Sequence, residues 1–202
     1  MSTLSVPVNA SDHLQGSSDA RITLVEYGDY QCPYCGEAYP IVKRLQKELG
    51  ADLRFIFRNF PLTEIHSHAL AAACAAEAAA IQDQFWEMHD MLYENQEILS
   101  DRSLVTFAQN LKLDFDVFMS DTTSREVTSR IEADFNSGIR SGVNGTPTFF
   151  INGLRHDGSY EYQDFLSALR EQLELQSESG RRSHAKPQEM HERKMTHANP
   201  NQ

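Results

Sequence analysis

The sequence predicts an α/β fold: a β-α-β unit, a long block of helices, then two short strands and a closing helix. Three observations lead there. Two β-rich runs, Ile22 to Tyr27 and Leu53 to Arg58, flank a stretch with apolar residues at helical spacing: Ala38, Ile41, Val42, Leu45 and Leu49. Residues 65 to 141 carry helical patterns and no good strand signal. A third apolar run, Phe149 to Ile151, follows the breaker cluster Gly142-Val143-Asn144-Gly145.

Taken in order, the first two runs and the helix between them imply parallel strands with a right-handed crossover. Pro61 ends the second run. His66 to Ala80 is dense in alanine, the best helix former, and Phe85 to Tyr93 places Phe85, Met88, His89 and Leu92 at helical spacing. Ser100-Asp101 and Asp114 are the cap residues expected before helices over 102–111 and 115–120. Thr122 or Thr123 is expected to start a further helix running to about Ser141. Asn152-Gly153 is a hairpin signal, with Leu154 to His156 as a short fourth strand. Tyr160 to Leu175 closes the fold as a helix with Phe165, Leu166, Leu169 and Leu173 on one face.

The chain has 202 residues and a net charge of −11, which argues against nucleic acid as a partner. The five Lys/Arg and three Glu of residues 177–202 give that segment +2 and leave −13 on the remainder. Its polar composition cannot bury a core, so a disordered tail is expected over 177–202, with His184, His191 and His197 solvated. No apolar run is long enough for a membrane span, and the first residues have neither the basic start nor the apolar core of a secretory signal. A cytoplasmic location is the expectation, or a periplasmic one if a signal has been removed from the chain. A monomer is expected, since no dimerisation segment is recognisable.

The chemistry centres on Cys32-Pro33-Tyr34-Cys35. Two cysteines three apart at a helix start lie within reach of a mutual disulfide, and the positive end of the helix stabilises a thiolate on the first. Pro33 suits the first helical turn because its missing N–H has no partner there. Strand-to-helix through C-x-x-C reads as a redox site, and half of a zinc site is the alternative. Cys32 is then the attacking thiol at the solvent end of the turn, and Cys35, one turn in, the resolving thiol with the higher pKa. Strand alternation puts Leu24 and Glu26 on one face, so Glu26 is expected inward beneath the dithiol, where a raised pKa lets it accept the Cys35 proton. Pro147 has no ladder donor and marks a bend before the strand. A cis bond after Thr146 there would bring Thr146 backbone groups close to the thiol. Asp29 and Tyr30 shape the loop before Cys32.

Glu26 to Cys35 (EYGDYQCPYC), the helical insertion, and Gly145 to Gly153 (GTPTFFING) together resemble the DsbA-like family of thioredoxin-fold thiol–disulfide oxidoreductases, over about residues 6–175. The resemblance implies a thioredoxin fold with a four-stranded central sheet and an all-helical insertion. The thioredoxin-like part would comprise 1–62 and 142–176, and the insertion 63–141. It also implies a cis Pro147 facing the dithiol, Cys32 attacking, Cys35 resolving, an acid at Glu26, and Thr146-Pro147 as the corner where a peptide docks, with Pro33 and Tyr34 meeting the partner. The redox-active disulfide itself would serve, with no other cofactor and no metal. Partners would be protein or peptide thiols and disulfides together with a recycling redox partner. The family's periplasmic oxidases carry His where this chain has Tyr34. A neutral phenol stabilises the Cys32 thiolate less, so a less oxidising potential is expected. Two other readings stand beside this one: a glutathione-dependent isomerase or transferase on the same fold, and a thiol sensor or zinc module. Cys74 reads as a small buried helix residue, Phe85 and Trp86 as core, and His66 and His68, which lack a partner pattern, as ordinary residues of a loop-to-helix start rather than as lining of the groove.

Overall fold

The structure, a computed structural model, describes residues 2–184, with side chains through residue 178. Five strands form one mixed sheet: β1 (His13–Gln15), β2 (Ile22–Gly28), β3 (Leu53–Asn59), β4 (Thr148–Ile151) and β5 (Leu154–His156), in the order β1-β3-β2-β4-β5. Only β2 and β3 are parallel, in register from Ile22 opposite Leu53 to Gly28 opposite Asn59; the other pairs are antiparallel. The four expected strands are joined by β1, a fifth at the β3 edge. Three residues are too short to show alternation, and β1 exists because β3 offers it a ladder.

The β2–β3 crossover is α1 (Pro33–Leu49). Between β3 and β4 come α2 (Ala69–Ala80), α3 (Phe85–Glu94), a 3-10 turn (Gln96–Ile98), α4 (Asp101–Asn110), α5 (Phe115–Asp121) and α6 (Arg125–Arg140). Ser100 and Asp114 cap α4 and α5 as their chemistry predicts, accepting from the amides of Ser103 and Val117. Ser124, rather than Thr122 or Thr123, caps α6 by accepting from Val127.

The closing helix, α7, runs from Tyr162 to His184, so the disorder expected from residue 177 is corrected through 184. Polar composition denies that stretch a core of its own. A helix already nucleated and packed by Phe165 and Leu169 extends one residue at a time with little further cost. Residues 185–202, including His191 and His197, lie outside the described residues.

The two faces of the sheet carry separate apolar layers. Leu24, Phe55, Phe57, Phe149 and Ile151 pack with Ala38, Val42 and Leu45 of α1, the alanines of α2, and Phe165 and Leu169 of α7. Each such large side chain removed from water contributes about 1.5–3 kcal/mol. Nine of the twelve residues of α2 are buried, and their small side chains let neighbouring helices approach closely. The other face, Val25, Tyr27, Ile56 and Phe150, is covered by Phe60, Val143, Phe135 and the N-terminal residues Leu4 and Val8.

Strand alternation also places Arg58 on that second face, under the N-terminal segment. Its guanidinium donates to both oxygens of Asp12 (2.8 and 2.9 Å), to the carbonyls of Val6 (2.9 Å) and Pro7 (3.3 Å), and to the Tyr27 hydroxyl (3.0 Å). The Arg58 and Asp12 side chains are 2% and 1% exposed, so this pair is cut off from water and clamps the first residues onto the sheet. A second buried acid, Glu77 of α2, accepts from Asn59 Nδ2 at 2.6 Å and lies 2.9 Å from His13 Nε2, tying β1 to the insertion.

Candidate active site

The loop after β2 delivers Cys32 to the N-cap of α1 in an extended conformation, φ −71° and ψ 121°, with Pro33 in the first turn. The Cys32 carbonyl accepts from the amides of Cys35 (3.0 Å) and Gly36 (3.1 Å), which closes the turn and sets the two cysteines on it. Both thiols are reduced. The Thr146–Pro147 bond is cis. Cys32 Sγ donates to the Thr146 carbonyl oxygen at 3.2 Å, so the loop before β4 touches the first thiol directly. One expectation needs correction: Cys32 does not stand at the solvent end of the turn but is 3% exposed, because its sulfur is turned in against Cys35 and Thr146. The exposed surface of the motif belongs to Pro33 and to Tyr34, which is 61% exposed.

The two thiols are perturbed in opposite directions. The Cys35 thiol donates to Cys32 sulfur and, against burial and helped by the Thr146 side chain and by the backbone amides of Cys35 and Tyr34, draws the Cys32 pKa down to about 5. Burial holds Cys35 well above the usual thiol range, reinforced by its bond to Cys32 and by Glu26. Glu26 lies inward on β2, 3% exposed, and burial followed by the Cys32 charge pushes its carboxyl up to about 8. Its Oε1 has no hydrogen-bond partner. Gly28 lies on the same face of β2, where an added Cβ would sit 2.3 Å from the Phe57 ring and 3.0 Å from Glu26 Oε1, so the close packing around the acid needs a glycine.

Asp29 shapes the loop as expected. Its buried carboxylate accepts from the amides of Gln31 (2.8 Å) and Leu62 (2.9 Å) and lies 2.8 Å from His66 Nδ1, while its own amide donates to Cys35 Sγ at 3.5 Å. His68 is held through its backbone, its amide donating to Gln31 Oε1 at 2.6 Å. The Tyr30 hydroxyl lies 3.1 Å from Nδ1 of His89, which burial keeps neutral by lowering its pKa well below the usual range.

Gln96 went unread in the sequence. Its Nε2 donates to the carbonyls of Tyr30 (2.9 Å) and Cys32 (2.8 Å), reaching the dithiol turn from the 3-10 turn after α3. A lone glutamine in a polar turn carries no periodic or spacing signal that would have found it. Cys74 sits 7% exposed within α2, and burial, with Glu77 nearby, raises its thiol to about 11, the reverse of activation. Among the described residues no group of three or more His, Cys, Asp or Glu is placed to hold a metal ion.

A reduced thiol pair at the N-terminus of a sheet-packed helix, facing a cis-proline loop, places this chain among thioredoxin-fold proteins with a helical insertion. The family model for thioredoxin matches residues 9–171, and the chain belongs to that family. Among solved structures it is similar to BdbD from Bacillus subtilis, with 24% identity and a TM-score of 0.76 over 86% of this chain and 98% of that one. A thioredoxin-like oxidoreductase from Silicibacter pomeroyi shares 25% identity at a TM-score of 0.69, over 88% and 95%. For alpha-DsbA1 from Wolbachia pipientis the values are 22% and 0.74, over 87% and 97%. In sequence it is 44% identical over 167 residues to the Na(+)/H(+) antiporter NhaA 1 of Salinispora arenicola, which is 82% of this chain and 26% of that protein. The NhaA antiporter of Herminiimonas arsenicoxydans is 40% identical over 158 residues, 78% and 25%. The chain spans about a quarter of the length of these curated relatives.

Proposed function

We propose that this chain is a protein thiol–disulfide oxidoreductase that works through Cys32 and Cys35. The observation that carries the reading is the opposite perturbation of two thiols in one helical turn, Cys32 down to about 5 and Cys35 well up. That division suits one sulfur to attack and the other to wait. The Cys32 thiolate attacks a client disulfide, forming the Cys32–client bond as the client S–S bond breaks and the leaving sulfur takes up a proton. Cys35 then loses its proton and attacks Cys32 Sγ. The Cys32–Cys35 disulfide forms, and the second client sulfur leaves.

Glu26 supplies the base for the second step, and its timing follows from its surroundings. The Cys32 negative charge is one of the two causes that keep the Glu26 carboxyl protonated. Once Cys32 is consumed in the mixed disulfide, that charge is gone and the carboxyl ionises more readily. The acceptor for the Cys35 proton is thus produced at the step that needs it. Thr146-Pro147, Pro33 and Tyr34 are the surface against which the client chain docks. Whether oxidation, reduction or isomerisation dominates depends on the redox poise of the compartment.

The names of two of the three solved neighbours, one an oxidoreductase and one a DsbA protein, support this reading. The ion transport named for the curated relatives is not extended to this chain. The match covers about a quarter of their length, and no helix among the described residues is long and apolar enough to cross a membrane. Insulin reduction by wild type and by Cys32→Ser tests the proposal: activity in the wild type and none in the variant is expected. Equal activity in both would show that the dithiol is not the reacting group.

A further inference from the structure

We propose that Gln96 is a positioning residue that fixes the peptide plane of Cys32 and thereby helps keep its sulfur reactive. The inference rests on Cys32–Cys35 being the reacting pair. Both N–H groups of the Gln96 amide are committed to backbone, at 2.9 Å to the Tyr30 carbonyl and 2.8 Å to the Cys32 carbonyl. The amide also has a floor. A Cβ built at Gly36 would lie 2.3 Å from Gln96 Oε1 and 3.0 Å from its Cδ, so the side chain rests on the bare Cα of the second residue past Tyr34. Two donors and one steric wall define its position.

The consequence for the thiol follows from the peptide geometry. The Cys32 carbonyl receives three donors, from Cys35, Gly36 and Gln96. The first two come from the helix and persist wherever α1 is formed. Gln96 arrives from the insertion, 64 residues along the chain, and adds the constraint from outside the helix. With its oxygen held on that side, the Cys32 peptide cannot swing its negative end round towards its own sulfur, which instead stays near the amides of Cys35 and Tyr34. A carbonyl dipole turned toward the thiolate would favour the protonated thiol. The helical insertion thus takes part in setting the reactivity of the dithiol, through one side chain.

Two substitutions separate this role from packing. Gln96→Met keeps length and volume but donates nothing, and Gln96→Ala removes both. The Cys32 pKa is read from thiolate absorbance against pH, and the dithiol–disulfide equilibrium from defined glutathione mixtures. Both variants are expected to raise the Cys32 pKa by about one unit and to shift the equilibrium about tenfold towards the disulfide. A glutamine that only packs would give a lower melting temperature in the alanine variant with pKa and equilibrium unchanged in the methionine variant, and that outcome overturns the proposal. Should Gln96→Ala fail to fold, the methionine variant alone decides. Neither reading depends on a client protein: equal insulin-reducing activity in wild type and Cys32→Ser would sink the functional proposal, whereas an unchanged pKa and equilibrium in Gln96→Met would sink only this one.

Discussion

The Cys32 thiol and the Thr146 carbonyl are 3.2 Å apart across 114 residues of sequence, and this contact joins the start of α1 to the loop that enters β4. Its acceptor is backbone, so no side-chain replacement at Thr146 deletes it. A serine at position 32 could still donate to the same oxygen. Cys32→Ser is therefore expected to fold and melt close to the reduced wild type while thiol–disulfide exchange falls to background. Cys35→Ser should behave differently: Cys32 still attacks, nothing resolves, and a mixed disulfide with client accumulates. Non-reducing electrophoresis checks this, and absence of the adduct would reverse the assigned roles.

Glu26 gives a pH signature whose sign can be worked out. Its carboxyl has an ordinary value of 4.5 and is raised to about 8 in the fold. Between those values the folded chain keeps a proton that the unfolded chain has lost, so stability declines as pH rises through that window. Glu26→Gln removes the decline. At about 1.4 kcal/mol per unit the variant gains up to roughly 4–5 kcal/mol above pH 8 and almost nothing near pH 4.5. Urea unfolding of the reduced protein across this range measures it. Exchange should meanwhile slow by about 10²-fold, the low end of what one positioned general base contributes.

The redox potential is expected at about −200 to −230 mV, the glutaredoxin range, because Tyr34 is an exposed neutral phenol. Equilibration with glutathione determines it. A potential near about −120 mV, the value of a strong oxidant, would show that the residue between the cysteines does not set the difference.

Stability should depend heavily on the clamp at the back of the sheet. Asp12→Ala leaves the buried Arg58 guanidinium without its bidentate partner and is expected to cost about 3–5 kcal/mol. Replacing both together, Asp12→Ala with Arg58→Leu, should recover much of that loss, since no uncompensated charge remains. Chemical denaturation of the single and double variants reads the difference.

Much of the fold was legible because its signals are local. The apolar spacing of Ala38, Val42 and Leu45, the caps Ser100 and Asp114, and the turn at Asn152-Gly153 each announce themselves within a few residues. So did the dithiol and the inward Glu26, which depends on strand alternation alone. What escaped was set by tertiary contact. β1 is a strand only because β3 is beside it, and Gln96 matters only because two carbonyls converge on it. Arg58 held a clue that could have been used: an arginine at an inward position of an apolar strand demands a buried acid, although nothing nominates Asp12 in particular. The low exposure of Cys32 was hidden for the same reason, since its acceptor comes from 114 residues away.

The sheet ends on one side in β1 and on the other in β5, each of three residues, and β5 is further bridged by Thr3 to Leu154. Open ladder along either flank is therefore short. An extended chain can add itself to a long unpaired flank as an extra strand, and the clients proposed for this protein are chains whose disulfides are being made or broken and which are often still unfolded. Stubby flanks leave such a client little to zip onto, so it meets the molecule at the dithiol and can depart once its sulfur is released.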